Sequence, residues 1–151
     1  MSVLEGSCYI ASGWFSPEWL QEVEDIKGAL EDNSCAYFSP KDFAIADTNA
    51  GLDTQEEIFR GNIDHLNECS WMICNTRGKD PGSIFEAGSM FAKDKPIVYF
   101  CAGLPAGAKF NLMLSRSGIK VCTSIQELRD YLARSVAANQ LLVEPYIGKI
   151  E

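Results

Sequence analysis

Five short apolar runs punctuate the chain: "CYIAS" at 8–12, "CAYFS" at 35–39, "WMICN" at 71–75, "KPIVYFCA" at 95–102 and "GIKVC" at 118–122. Runs of this length and character suit strands buried on both faces. The stretches between them carry helical periodicity. Strands that alternate with helices imply a parallel sheet covered on both sides, so the fold class expected is α/β. With 151 residues, one domain over 1–151 is expected, and no internal repeat divides it.

The first helix is expected over "SPEWLQEVEDIKGALED" (16–32), with Ser16 as N-cap and Pro17 at the first helical position. Trp19, Leu20, Val23, Ile26, Ala29 and Leu30 recur there at helical spacing. Pro40 is expected to end the second strand, and 41–53 reads as loop. "TQEEIFRGNIDHLNEC" suits a second helix with Ile58, Ile63 and Leu66 inward. "SIFEAGSMFAKD" (83–94) reads as a short third helix. "FNLML" (110–114) is ambiguous. "SIQELRDYLARSVAANQLL" forms the last helix, opened by a Ser124/Glu127 capping box.

Ligands of open parallel sheets bind beyond the carboxyl ends of the strands. The loops "GWF", "TRGKDPG" and "GLPAGAKF" are therefore expected to converge. The first strand is followed by no GxGxxG, and the chain has neither a Walker A lysine motif nor a GxSxG elbow. Trp14 and Phe15, in the turn after the first strand, either fold back onto the core or wall a pocket for something flat.

The charge balance excludes further classes. Thirteen Lys and Arg stand against 21 Asp and Glu, and a net charge of -8 opposes nucleic-acid binding. No apolar run approaches the 18 residues of a membrane span, and "MSVLEGS" lacks the basic and apolar regions of a signal peptide. The six cysteines form no CxxC pair and His65 is the single histidine, a poor basis for a metal site. Small buried thiols in a reducing, cytoplasmic compartment are expected.

The chemistry concentrates in "DPGSIFEAGSMFAKDKPIVYF", 80–100. A carboxylate held among apolar groups at the ligand edge can attack an electrophilic carbon, and a second one nearby can protonate a leaving group. Glu86 and Asp80 suit those roles in cleaving a glycosidic bond. The bland alternative is that Ser83 and Glu86 form a capping box and Asp80 is a turn residue. Gly82 would then serve a tight turn, and Gly88 a close approach of helix to sheet.

Asp80, Gly82-Ser83, Glu86, Gly88 and Lys95-Pro96 together resemble the signature of the nucleoside 2-deoxyribosyltransferase family. "YIASGWF" is similar to that family's first strand and pocket turn, through Tyr9, Gly13 and Phe15, and "FNLML" to a third family segment. The resemblance implies a flavodoxin-like three-layer sandwich with a five-stranded parallel sheet. It implies transfer of 2-deoxyribose between nucleobases through a covalent glycosyl-enzyme, with retention. Glu86 would be the nucleophile, Asp80 would meet the departing base, and Tyr9 would fix the nucleophile's rotamer. Trp14, Phe15 and Asn62 would contact substrate, as would Gly13 and Gly82. Asn111 and Met113 would reach the sugar's 5' side in a neighbouring subunit's site, which implies a homo-oligomer. Deoxynucleosides and free nucleobases are the partners so implied, with no cofactor and no metal.

The chain departs from the family pattern in three places. Asn62 stands where many relatives carry Asp, and Phe43 and Ala44 stand where some carry an Asn-Gln pair. Arg77 and Lys79 adjoin Asp80. With Ser12 and Lys109 they would suit an alternative function, an N-glycosidase that hydrolyses nucleoside 5'-monophosphates. A non-enzymatic nucleotide-binding or sensing domain is the other alternative.

Overall fold

The structure, a computed structural model, describes residues 3–151, so the reading of "MSVLEGS" falls partly outside the described residues. Five strands form one sheet: β1 (Cys8–Ala11), β2 (Tyr37–Phe38), β3 (Trp71–Asn75), β4 (Ile97–Phe100) and β5 (Lys120–Cys122). All pairs are parallel, in the order β2-β1-β3-β4-β5. This is the flavodoxin-like order, in which the sheet's direction of growth reverses between β1 and β3. Among the described residues, six α-helices accompany it: α1 (Pro17–Asp32), α2 (Pro40–Phe43), α3 (Leu52–Glu68), α4 (Pro81–Ala92), α5 (Leu112–Ser117) and α6 (Ile125–Ala138). None of them is long and apolar enough to cross a membrane.

Successive strand side chains point to opposite faces, and the core divides accordingly. Cys8 and Ile10 of β1 pack with Ile26 and Leu30 of α1 and with Leu128 and Leu132 of α6. Tyr9 and Ala11 pack on the other face, with Leu66 of α3 and Ala87 and Met90 of α4. The three layers are thus α1/α6, sheet and α3/α4. The alternation sends Tyr9 toward α4.

The local signals mostly hold. The Ser16 hydroxyl accepts from the Trp19 amide and the Ser124 hydroxyl from the Glu127 amide. Glu127 reaches back one residue further than a capping box requires, to the Thr123 amide at 2.7 Å. Two expectations are corrected and one ambiguity is resolved. Pro40 does not lead into loop; it opens the short α2, where a proline at the first helical position sacrifices no hydrogen bond. "FNLML" resolves into α5, capped by Asn111. Leu20 is exposed at 37%, because it lies outside the face of α1 that buries Val23, Ile26, Ala29 and Leu30.

The glycine expectations are corrected as well. The tight turn between β3 and α4 relies not on Gly82 but on Gly78, at φ +68°. Gly88 lies on the exposed side of α4, where an added Cβ would meet nothing within 4 Å. At Gly78 a Cβ would lie 2.2 Å from the Trp19 ring. Gly78→Ala should therefore cost about 2–4 kcal/mol, combining left-handed strain with overpacking. Gly88→Ala should instead stabilise by about 0.5–1 kcal/mol, the ordinary helix-interior difference. Denaturant midpoints of the two variants check both signs.

Candidate active site

Ser83, Glu86 and Met90 fall on one face of α4, at spacings of three and four residues. Met90 and Ser83 are buried against the sheet. Glu86 is thereby carried over the end of β1, where the fully buried Tyr9 donates its phenolic hydrogen to Glu86 Oε2. Burial pushes the Glu86 carboxyl up to about 7; the Asp80 charge adds to the rise, and the Tyr9 hydrogen bond opposes it. Burial and the neighbouring Glu86 drive the Tyr9 phenol well above its usual value, so it stays a donor.

Asp80 is the N-cap of α4. Its Oδ2 accepts from the Ser83 amide at 3.0 Å and from the Ser83 hydroxyl at 2.7 Å. The helix thus starts two residues before Ser83, and the alternative Ser83/Glu86 capping box does not form. Glu86 is freed from a capping role because Asp80 fills it. Both of these bonds use Oδ2, and Asp80 also lines the cleft.

These groups line a cleft of about 270 Å³ at the β1/β3 switch point. Gly13, Trp14 and Phe15 form one wall. Gly82 and Phe85 of α4 line the cleft too, with Phe59 of α3. The rings keep wide exposure, 69% for Phe15 and 57% for Phe85. Trp14 and Phe15 are 5.6 Å apart and Phe59 and Phe85 6.4 Å apart between centroids. Exposed rings lining a cleft suit a flat aromatic ligand. Asn62 also lines it, and its Oδ1 is buried without a hydrogen-bond partner among the described residues.

Of the residues singled out in the sequence, Tyr9 lies directly behind the cleft. Gly13, Trp14, Phe15, Asn62, Asp80, Gly82 and Glu86 line it. Asn111 and Met113 do not join them. They border a separate cavity of about 370 Å³ with Lys79 and Lys109, where "GLPAGAKF" also lies. Asn111 caps α5 through the Leu114 amide, and Met113 is 73% exposed. Arg77 is held away from the cleft, its Nε 2.7 Å from Glu22 and its Nη1 3.5 Å from Glu18.

Phe59, Phe85 and Pro40 also line the cleft without having been anticipated. Phe59 and Phe85 sit off the inward stripes of their helices. An apolar ring on the wrong face of an amphipathic helix was the available signal.

Residues 8–114 match the family model described as nucleoside 2-deoxyribosyltransferase. Among solved structures, one described as a 2-deoxyribosyltransferase from the psychrotolerant bacterium Bacillus psychrosaccharolyticus superposes with a TM-score of 0.77. It is 23% identical, and the match covers 93% of this chain and 99% of that one. A conserved protein from Enterococcus faecalis V583 superposes at 0.70 and 19% identity, over 85% and 98% of the two chains. At these identities the likeness concerns the fold. No curated protein matches the chain. The match over 8–114 takes in both carboxylates, Tyr9 and the ring-lined cleft, and by it the chain belongs to the nucleoside 2-deoxyribosyltransferase family, enzymes of deoxyribosyl transfer.

Proposed function

We propose that this enzyme exchanges the nucleobase of a deoxynucleoside through a covalent glycosyl-Glu86 intermediate, with retention at the anomeric carbon. A Glu86 oxygen attacks that carbon as its bond to the base nitrogen breaks. The bonding pair leaves with the base, and Asp80 supplies the proton. The first base departs between the rings and a second takes its place. Its ring nitrogen attacks the same face, the ester to Glu86 breaks, and the proton returns to Asp80. Two inversions give net retention. The observation that carries this reading is the Tyr9–Glu86 hydrogen bond beside Asp80 in a cleft walled by aromatic rings. The phenol orients the nucleophile, and the buried Asn62 Oδ1 suits a sugar hydroxyl donor. Incubation with a 2-fluoro-2-deoxynucleoside, followed by peptide mass mapping, should find the sugar on Glu86. An adduct elsewhere, or none alongside normal turnover, refutes the mechanism.

The free nucleoside is the substrate rather than its 5'-monophosphate. A phosphate dianion needs several cationic or backbone donors. Arg77, the guanidinium nearest in sequence to Asp80, is already engaged by Glu22 and Glu18. Lys109 lies in the other cavity. With acceptor base present and ionic strength fixed, kcat/KM should favour the nucleoside at least tenfold, about 1.4 kcal/mol of transition-state binding. A monophosphate preference of that size, with water as acceptor, would establish nucleotide hydrolysis instead.

The site is completed across subunits of a homo-oligomer. Asn111 and Met113 project from an exposed surface that also carries Leu112, consistent with their serving a neighbouring copy's cleft. Six free cysteines, five of them buried, fit the reducing cytoplasm.

A further inference from the structure

The cleft has a second layer of charged and aromatic groups behind it, built from α1. Trp19 and Glu22, three residues apart, share one face of that helix. The Trp19 ring stands between two turns. An added Cβ would lie 2.2 Å from it at Gly13, after β1, and 2.2 Å from it at Gly78, after β3. Glu22 holds the end of β3 and the turn after it, and Asn75 carries the link on to the turn after β1. Its oxygens accept from Arg77 Nε at 2.7 and 2.8 Å, and Oε1 accepts from Asn75 Nδ2 at 3.2 Å. Asn75 Nδ2 also donates to Ser12 Oγ at 3.2 Å, and Ser12 donates to the Gly13 carbonyl at 2.7 Å. The Arg77 amide donates to Asn75 Oδ1 at 3.1 Å.

This network has a direction. Glu22, Asn75 and Ser12 are buried, at 8%, 2% and 8% exposure. One end reaches Ser12 and Gly13 in the cleft wall. The other runs through Arg77 and the Arg77–Lys79 turn to Asp80. A buried carboxylate matched by a guanidinium and an amide holds one geometry, because any displacement strands a charge away from water. Among the described residues, Asp80 has no side-chain hydrogen-bond anchor other than Ser83 on its own helix.

We propose that Glu22 and Arg77 are positioning residues that set Asp80 against the departing base, by clamping the β3–α4 turn to the β1–α1 turn. This rests on the deoxyribosyl-transfer reading above, in which Asp80 carries the proton. Neither residue touches substrate; they act through Asp80 and Gly13. The clamp therefore matters for proton delivery and much less for attack by Glu86.

The test uses Glu22→Gln and Arg77→Lys in the full chain. Two deoxyribosides are compared, one with a natural base and one whose leaving group departs as a stable nitrophenolate. Glu22→Gln should lose at least tenfold in kcat with the natural base and under threefold with the nitrophenolate, with KM little moved. Arg77→Lys, which keeps the charge, should recover part of the loss seen with Arg77→Met. Amide hydrogen exchange is measured in parallel. Protection of the Ser83 and Arg77 amides should fall in Glu22→Gln, while the Met90 turn of α4 stays protected. Equal losses with both substrates, or unchanged Ser83 protection, would overturn the clamp. Should Glu22→Gln not fold, Arg77→Lys carries the same comparison. Absence of wild-type turnover with either riboside would sink the transfer reading alone, and the exchange data would still decide whether the clamp exists.

Discussion

Glu86→Gln should abolish turnover and at the same time make the protein harder to unfold at pH 8. The loss of activity follows from the nucleophile's role: an amide does not form the glycosyl ester, and a loss of at least about 10⁴-fold in kcat is expected. The gain in stability follows from burial. The folded-state carboxyl sits at about 7, against an ordinary value near 4.5. Between those values the folded state binds more protons than the unfolded one, so stability falls as pH rises. Ionising Glu86 in place costs on the order of 3 kcal/mol by pH 8. Glutamine carries no such penalty and still accepts from Tyr9. The melting temperatures of variant and wild type should agree near pH 4.5 and separate by roughly 5–10 °C at pH 8. An equal difference at both values would show that packing, not ionisation, sets it. Residual turnover near the wild-type rate would remove Glu86 from the mechanism.

The same balance governs the acid side of the wild-type rate profile. Attack needs the ionised carboxylate, so with a nitrophenolate leaving group, which takes no proton from Asp80, kcat/KM should rise with pH through about 7. Tyr9→Phe removes the hydrogen bond that favours ionisation and should move that rise to higher pH. An unmoved profile would mean the phenol merely fills space.

Much of this was legible in the chain because local and global signals agree. The five apolar runs and the capped helices around them specify a parallel sheet, and the even spacing along "CYIA" already sends Tyr9 away from α1. What stayed hidden depends on contacts between distant segments. Ser83 and Glu86 have capping-box spacing, and only the position of the turn decides that Asp80 caps instead. Arg77 reads as a free loop cation until Glu22, 55 residues earlier, is brought beside it. Gly88 looked like a packing glycine, yet its face of α4 meets nothing. Phe59 and Phe85 show in the sequence only as apolar rings outside the core stripes of their helices, a signal that does not say what they line.

Asp80→Asn should separate chemistry from architecture. Asparagine caps a helix as well as aspartate does, and its side-chain oxygen can still accept from the Ser83 amide. Stability should therefore change by under about 0.5 kcal/mol. Asparagine cannot deliver a proton, and loss of a positioned general acid costs about 10²–10⁴ in rate. That loss should appear in full with natural bases, whose ring nitrogen leaves as a poor anion. With a nitrophenolate leaving group it should shrink to within about tenfold, since no proton is required there. A second consequence has the opposite sign. Asp80 is one of the charges that holds the Glu86 carboxyl up, so its removal should move the acid limb of kcat/KM to lower pH. Tyr9→Phe and Asp80→Asn thus shift that limb in opposite directions, which a general loosening of the cleft would not do. Equal rate losses with both leaving groups, together with an unmoved limb, would reduce Asp80 to the cap that the structure already gives it.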